Sequence, residues 1–352
     1  MDAPDARHRA VIEVAWLDYA DSRVIVAVDE LSTMVSTNRV YRLRFDDGST
    51  VIAKSSNYGS FFLFAEDHER LHRTAMLLQG GPFERFMANV LTRHGSPYLW
   101  YDRDMWVVFY GEVEHRDRLP KILTDGQVER LGEEIGRFHR ACTSVSRMIP
   151  PPSKTAKSDA VNLLASLETR HAGEHFGLDQ SRLDLVRRHT HRFLMTVHET
   201  GYDYWDKIPV LIDWNLGNFS VETDGGADEF RLFSRWDYDW FRIESRLLDF
   251  YFLSRVSSRT GDRSVFTYSS HTLLEPRFRR FLRAYHAVFP LSAPEVLFLK
   301  EAYRFFLLNY VVREGRHFFR HDFWQHLLHD AVDVHLPALD DLDLTPLIDD
   351  VT

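Results

Sequence analysis

The chain has 352 residues, 44% hydrophobic and 27% charged, with a formal net charge of −9; a disordered chain is excluded, and the length suits two domains or one bilobal unit. An acidic balance with no basic run excludes a nucleic-acid partner, and the single Cys142 excludes a disulfide framework and a Cys-based zinc site. The opening residues MDAPDARHRA hold no apolar h-region and no stretch approaches 18 apolar residues, so a soluble cytoplasmic protein without a membrane partner is expected.

Residues 24–54 alternate as strands do: VIVAV, then VYRLRF, then TVIAK after the turn Asp46-Asp47-Gly48. Apolar residues at helical spacing predict helices over 61–79 and 83–94, and PYLWY and MWVVFY predict two short strands around the polar turn at Asp102 to Asp104. After Gly111 the pattern changes to an amphipathic helix over 125–143, a polar loop over 146–158 containing Pro150 to Pro152, and helical periodicity over 159–172 and 180–200. Strands return over 209–240, helices continue to about 336, and an acidic tail follows. The fold class is therefore α+β. A boundary near 110–114 divides a mostly antiparallel β-sheet lobe, 1–112, from a larger and mainly α-helical lobe, 113–352.

The segment IPVLIDWNLGNFSVETDGGADEFRLFSRWDYDW, 208–240, is the most informative. Its strand, turn, strand pattern is a hairpin with Asp213 and Asn218 at the entrance and Asp237 at the exit, which brings the three polar groups to one end. Mg²⁺ takes oxygen ligands, and an acceptor hydroxyl needs a carboxylate to orient it and take its proton. A lone D-x-x-x-x-N is weak evidence; an ordered set that adds Lys54, at the end of the apolar strand VIAK, carries more. A lysine there is costly to bury without a partner.

These residues resemble the aminoglycoside phosphotransferase, choline kinase and homoserine kinase group, relatives of the protein kinases. The group's H-G-D-x-x-x-x-N loop is matched by LIDWNLGN at the Asp-to-Asn spacing, its I-D-W-D segment by Trp236-Asp237-Tyr238-Asp239, and its L-x-x-x-L-x-x-L-H helix by LGEEIGRFHRAC. The resemblance implies a bilobal protein-kinase-like fold and ATP- and Mg²⁺-dependent transfer of phosphate to a small-molecule hydroxyl. Asp213 would be catalytic, Asn218 and Asp237 would hold Mg²⁺, and Asp249 would tie the loop down. Lys54 would contact the ATP phosphates and an acid, with Glu84 favoured over Glu66 and Glu69. Ser36, Thr37 and Asn38 would stand in for a glycine-rich phosphate loop, and the backbone of Tyr110 and Glu112 would meet adenine. Trp214, Tyr238, Asp239 and Trp240 would line a site for a cationic acceptor such as an aminoglycoside, amino sugar or choline-like alcohol. Two departures stand out: the loop histidine, which usually braces the metal segment through its backbone, is Leu211, and the glycine after it is Ile212. With the glycine-free loop at 31–41 they motivate a second reading, a nucleotide- or metabolite-binding protein without turnover.

The C-terminal histidines 317, 321, 326, 329 and 335 include a pair four residues apart, as zinc would like, but no H-E-x-x-H. A helix packed on one side and solvated on the other accounts for them, with Trp324, Phe318 and Phe319 in the core. Cys142 reads as a buried, inert thiol.

Overall fold

The computed structural model describes residues 3–32, 38–226, 228–262 and 269–351, with side chains from residue 7 onward. Helix α1 (Ala3–Tyr19) precedes strands β1 (Ile25–Glu30), β2 (Arg39–Phe45) and β3 (Thr50–Ser56); helix α2 (Phe61–Leu77) follows, then the short strands β4 (Thr92–Arg93) and β5 (Ser96–Pro97), then β6 (Leu99–Tyr101) and β7 (Trp106–Gly111). The main sheet is antiparallel throughout, in the order β1-β2-β3-β7-β6. The expected β2–β3 turn is present: Gly48 takes φ +80°, and Asp47 accepts bonds from the amide and hydroxyl of Ser49.

Alternation along β7 sets the layers. Val107 and Phe109 face a small core with Ile12, Ala15 and Trp16 of α1, while Val108 and Tyr110 face Leu71 and Ala75 of α2 and a large core that runs on into the helical part. Helix α1 was not expected, although Val11, Ile12, Ala15, Trp16 and Tyr19 lie at helical spacing. The helix expected over 83–94 is absent. Its apolar residues serve turns: Phe83 and Phe86 pack on Phe138, and Asn89 to Leu91 extend along β7, where Leu91 N donates to Phe109 O and Gly111 N to Asn89 O. β6 covers β7 only from Trp106 to Val108, so this segment covers the rest of that edge.

The helical part contains α3 (Asp125–Ser146), α4 (Ala156–Leu167), α5 (Ala172–Phe176), α6 (Gln180–Glu199), α7 (Phe250–Ser257), α8 (Pro276–Val288), α9 (Ala293–Phe306), α10 (Gly315–Phe318), α11 (His321–Asp330) and α12 (Leu336–Ala338). A capping box of Thr124 and Gln127 starts α3. The glycines of LGEEIG let α3 approach α8, since a Cβ on Gly132 would lie 2.5 Å from Phe281 O. Two strand pairs are inserted between α6 and α7: β8 (Ile208–Val210) with β11 (Arg242–Glu244), and β9 (Phe219–Thr223) with β10 (Phe230–Arg235). The boundary near residue 112 falls at the end of β7, but the large core is continuous across it. Among the described residues no helix is long and apolar enough to cross a membrane.

Candidate active site

The D-x-x-x-x-N loop is held from beneath. Asp249, fully buried before α7, accepts hydrogen bonds through Oδ1 from the amides of Leu211 (3.1 Å) and Ile212 (2.6 Å), while its Oδ2 pairs at 2.9 Å with Nε2 of His139 on α3. This is the tie expected of Asp249, and the F-H-R-A helix supplies its partner. Ile212 has φ +59°, unusual for a β-branched residue, and it stands where the resembled family has glycine. Asp249→Ala would leave two buried amides and Nε2 of the His139 imidazole without this partner, at about 1–3 kcal/mol each, while Nδ1 keeps Tyr285. A loss of several kcal/mol in unfolding free energy is therefore expected, measured by urea denaturation, with Asp249→Asn losing less.

From this anchored start, Asp213 Oδ1 accepts from Asn215 N at 3.1 Å. Asn218 ends the loop, and its carbonyl accepts from Trp236 N at 3.0 Å, so Asn218 and Asp237 share one end of the β9–β10 hairpin. Asp237 takes φ +67°. Burial, and secondarily the charge of Asp237, pushes the Asp213 carboxyl up to about 6. The end of β3 meets this hairpin: Lys54, only 6% exposed, is ion-paired with Asp239 and lies 3.6 Å from Asp237. Burial pushes its ammonium pKa down, and Asp237 opposes that shift. Asn38 Nδ2 donates to Asp239 at 2.7 Å.

Beside Asp213 lies a cavity of about 370 Å³ that it does not line, walled by Val40, Ile52 and Ala88, by the strand end Tyr110 to Val113, and by Lys54, Asn218 and Asp237. Asn38 and Asp239 line it too; Ser36 and Thr37 lie outside the described residues. Tyr110 and Glu112 border it, the Glu112 carboxylate being held by Arg42 at 2.7 Å.

Glu84 is not the partner of Lys54. It is exposed, 3.9 Å from Arg85, because the segment that carries it is a turn rather than a helix. The alternatives fail as well: Glu66 bonds Arg70 and Ser153, and Glu69 lies beside Arg73. What α2 turns inward is His68, whose Nε2 and Nδ1 meet Tyr110 Oη at 2.6 Å and Phe64 O at 2.8 Å. Burial, reinforced by the Lys54 charge, lowers its pKa to about 4, so the imidazole is neutral. Trp214 and Trp240 are also misplaced as acceptor contacts. Trp214 is fully buried among Phe86, Phe138 and Phe219, and Trp240 packs among Phe252, Phe306, Tyr310 and Phe318. Tyr238 lines the cavity with its ring while its hydroxyl accepts from Ala88 N and donates to Arg235 O.

A second cavity, about 560 Å³, adjoins the first through Asn38, Lys54, Tyr238 and Asp239 and runs beneath α2 toward α4 and Arg313 to Phe318. Of its carboxylates, Asp159 is paired with Arg242 and Arg313, Glu314 with Arg313, and Asp239 with Lys54. Asp67 has no described ion-pair or hydrogen-bond partner, and burial pushes it up to about 6. The sequence carried a signal for it: an acid one residue before His68, on the helix after the lysine strand.

Asn218 and Asp237 offer an amide oxygen and a carboxylate, hard donors that fit Mg²⁺, which is commonly held by one or two protein oxygens with phosphates and water. Among the described residues no three His, Cys, Asp or Glu side chains form a metal-binding group, and the C-terminal histidines make none. Trp324 and Phe319 are buried, Phe318 is half-buried against the core, and Cys142 is buried with its thiol pKa raised by desolvation.

No family model matches the sequence, and a search of curated proteins returns no match. Solved structures are similar in space at low identity. An amicoumacin kinase in complex with AMP-PNP, Ca²⁺ and Ami gives a TM-score of 0.64 at 12% identity, covering 97% of this chain and 99% of that one. A microcompartment-associated aminopropanol kinase gives 0.62 at 14%, covering 95% and 100%. APH(2")-IIia, in its GDP and kanamycin complex, gives 0.55 at 14%, covering 94% and 98%. The chain has the fold of these small-molecule kinases, an antiparallel sheet lobe with a larger helical part.

Proposed function

We propose that the protein transfers the γ-phosphoryl group of ATP to a hydroxyl of a small molecule. The observation that carries this reading is the meeting of Lys54, Asp213, Asn218 and Asp237 at one hairpin end, where Lys54, Asn218 and Asp237 border a cavity that the strand end at Tyr110 to Val113 closes. Residues 1–112 would hold the nucleotide, with adenine against Tyr110 and Glu112, and 113–352 would supply the catalytic and metal-binding residues, with the acceptor held between the two. Asn218 and Asp237 would hold Mg²⁺, which when bound offsets phosphate charge. Asp213 orients the hydroxyl and takes its proton as oxygen bonds to the γ-phosphorus and the bond to the departing ADP oxygen breaks. Lys54 leaves Asp239 to meet the phosphates. The test is ATP consumption across a library of hydroxyl compounds. Acceptor-dependent ADP release is expected, and nucleotide binding without release under any compound would leave a binding protein instead.

The second cavity is our choice for the acceptor. Its aromatic walls, Tyr58, Phe64, Trp106 and Phe318, and one carboxylate without a partner among the described residues, Asp67, suit an amino alcohol or amino sugar with one ammonium placed there. Asp67→Asn is then expected to raise the acceptor KM about 10–100-fold, the loss of a charge-assisted hydrogen bond, with kcat nearly unchanged. Steady-state kinetics with the library's best acceptor decides it; an unchanged KM removes Asp67 from the acceptor site.

A further inference from the structure

Leu211 fills the place of a bracing histidine but has no polar side-chain atom, so something else must fix the metal segment against the catalytic loop if the phosphotransferase reading, on which this inference rests, is right. We propose that Arg235 is that positioning residue, tying the two segments together from the metal segment's own strand. Its guanidinium is fully buried, and Nη2 donates to the carbonyl of Asp213 at 2.7 Å and to that of Asp237 at 3.3 Å. One nitrogen thus links the residue that handles the hydroxyl to the residue that holds the metal.

A β-bulge aims the arginine inward. Phe230, Arg231 and Leu232 pair with Thr223, Glu222 and Val221, but Ser234 and Arg235 pair with Ser220 and Phe219, leaving Phe233 as one extra residue. Side chains alternate along a strand, so without that residue Arg235 would face away from Leu232; with it, Arg235 joins Leu232 on the Phe219 and Val221 face. The bulge is secured on both sides. Glu134 accepts from Leu232 N at 3.0 Å, and Ser234 Oγ lies 2.6 Å from both Ser220 Oγ and the Glu114 carbonyl.

Packing alone does not call for a charge here. The guanidinium lies 5.2 Å from the Trp214 ring and 5.9 Å from that of Tyr238, and its Nε and Nη1 meet no described hydrogen-bond partner. An apolar side chain of similar volume would fill the space without the desolvation penalty of a buried cation. The two carbonyl bonds are what the arginine adds; burial lowers the guanidinium pKa, and the nearby Asp213, Asp237 and Asp249 oppose that shift.

The test uses the full chain with Mn²⁺ and AMP-PNP, reading bound Mn²⁺ by electron paramagnetic resonance beside a thermal unfolding curve. Arg235→Met is expected to weaken Mn²⁺ binding in the presence of AMP-PNP by about tenfold or more, the usual scale for losing an outer support of a metal site. Adding Leu211→His should recover most of that loss, because it returns a donor from the opposite side. Should Arg235→Met fail to fold, Arg235→Lys, which keeps one donor, is read in the same way and should bind with intermediate affinity. Native Mn²⁺ affinity in a folded Arg235 variant, or no recovery with Leu211→His, overturns the proposal. A native chain that binds no Mn²⁺ with AMP-PNP overturns the phosphotransferase reading itself, and this proposal with it.

Discussion

Asp213→Ala is expected to lower turnover by roughly 10²–10⁴-fold while leaving Mg-ATP affinity nearly native, since a base acts on the acceptor and not on the nucleotide. Its position agrees with that division of labour on the proposed reading: its side chain accepts from Asn215 N and is not among the walls of the cavity assigned to the nucleotide. The pH dependence gives a second reading of the same group. A base works ionised, and burial together with the Asp237 charge holds this carboxyl up at about 6, so the rate should fall as pH drops through that region and level off above it. Isothermal titration with Mg-ATP and a pH series of initial rates measure both effects. Full activity in Asp213→Ala on a genuine acceptor would end the catalytic assignment.

Asp237→Ala is expected to fail differently. On the proposed reading it removes a direct Mg²⁺ ligand, so metal-dependent nucleotide binding should weaken by at least about 10–100-fold, the range seen for lost outer-shell partners, and turnover should fall with it. It also removes a negative charge that raises the Asp213 pKa, so the acid limb of whatever activity remains should move to lower pH. Asp239 would still pair with Lys54, so the lysine stays folded in place and the loss reports on the metal. Nucleotide titrations with and without Mg²⁺ separate the two contributions. Neither aspartate affecting binding or turnover would defeat the kinase reading.

The parts of this site that were legible in the sequence are those written in local pattern. Period-two alternation gave the β2–β3 hairpin and the strand that ends in Lys54, and the spacing from Asp213 through Asn218 to Asp237 gave the shared hairpin end, because strand pairing converts sequence distance into proximity. Glu84 failed because Phe83, Phe86, Met87 and Val90 have helical spacing for another reason: three fill the gap above α3, and the fourth pairs with β7. Trp214 and Trp240 failed because nearness in sequence to a catalytic aspartate says nothing about which way a large ring turns. Arg235 could not have been found by periodicity, since one inserted residue reverses the face it would be assigned.

The partner that Lys54 chose has a consequence for control. In protein kinases the lysine is keyed by an acid on the neighbouring helix, and swinging that helix aside disconnects it, which is how such enzymes are switched. Here both described ion-pair partners of Lys54, Asp237 and Asp239, come from the segment proposed to hold the metal, while α2 brings the neutral His68 and, across the adjoining cavity, Asp67, which makes no described ion pair with the lysine. Displacing α2 would leave the lysine engaged. On the proposed phosphotransferase reading such a chain would lack the off position that a displaced helix gives, and its output would follow the supply of nucleotide and acceptor.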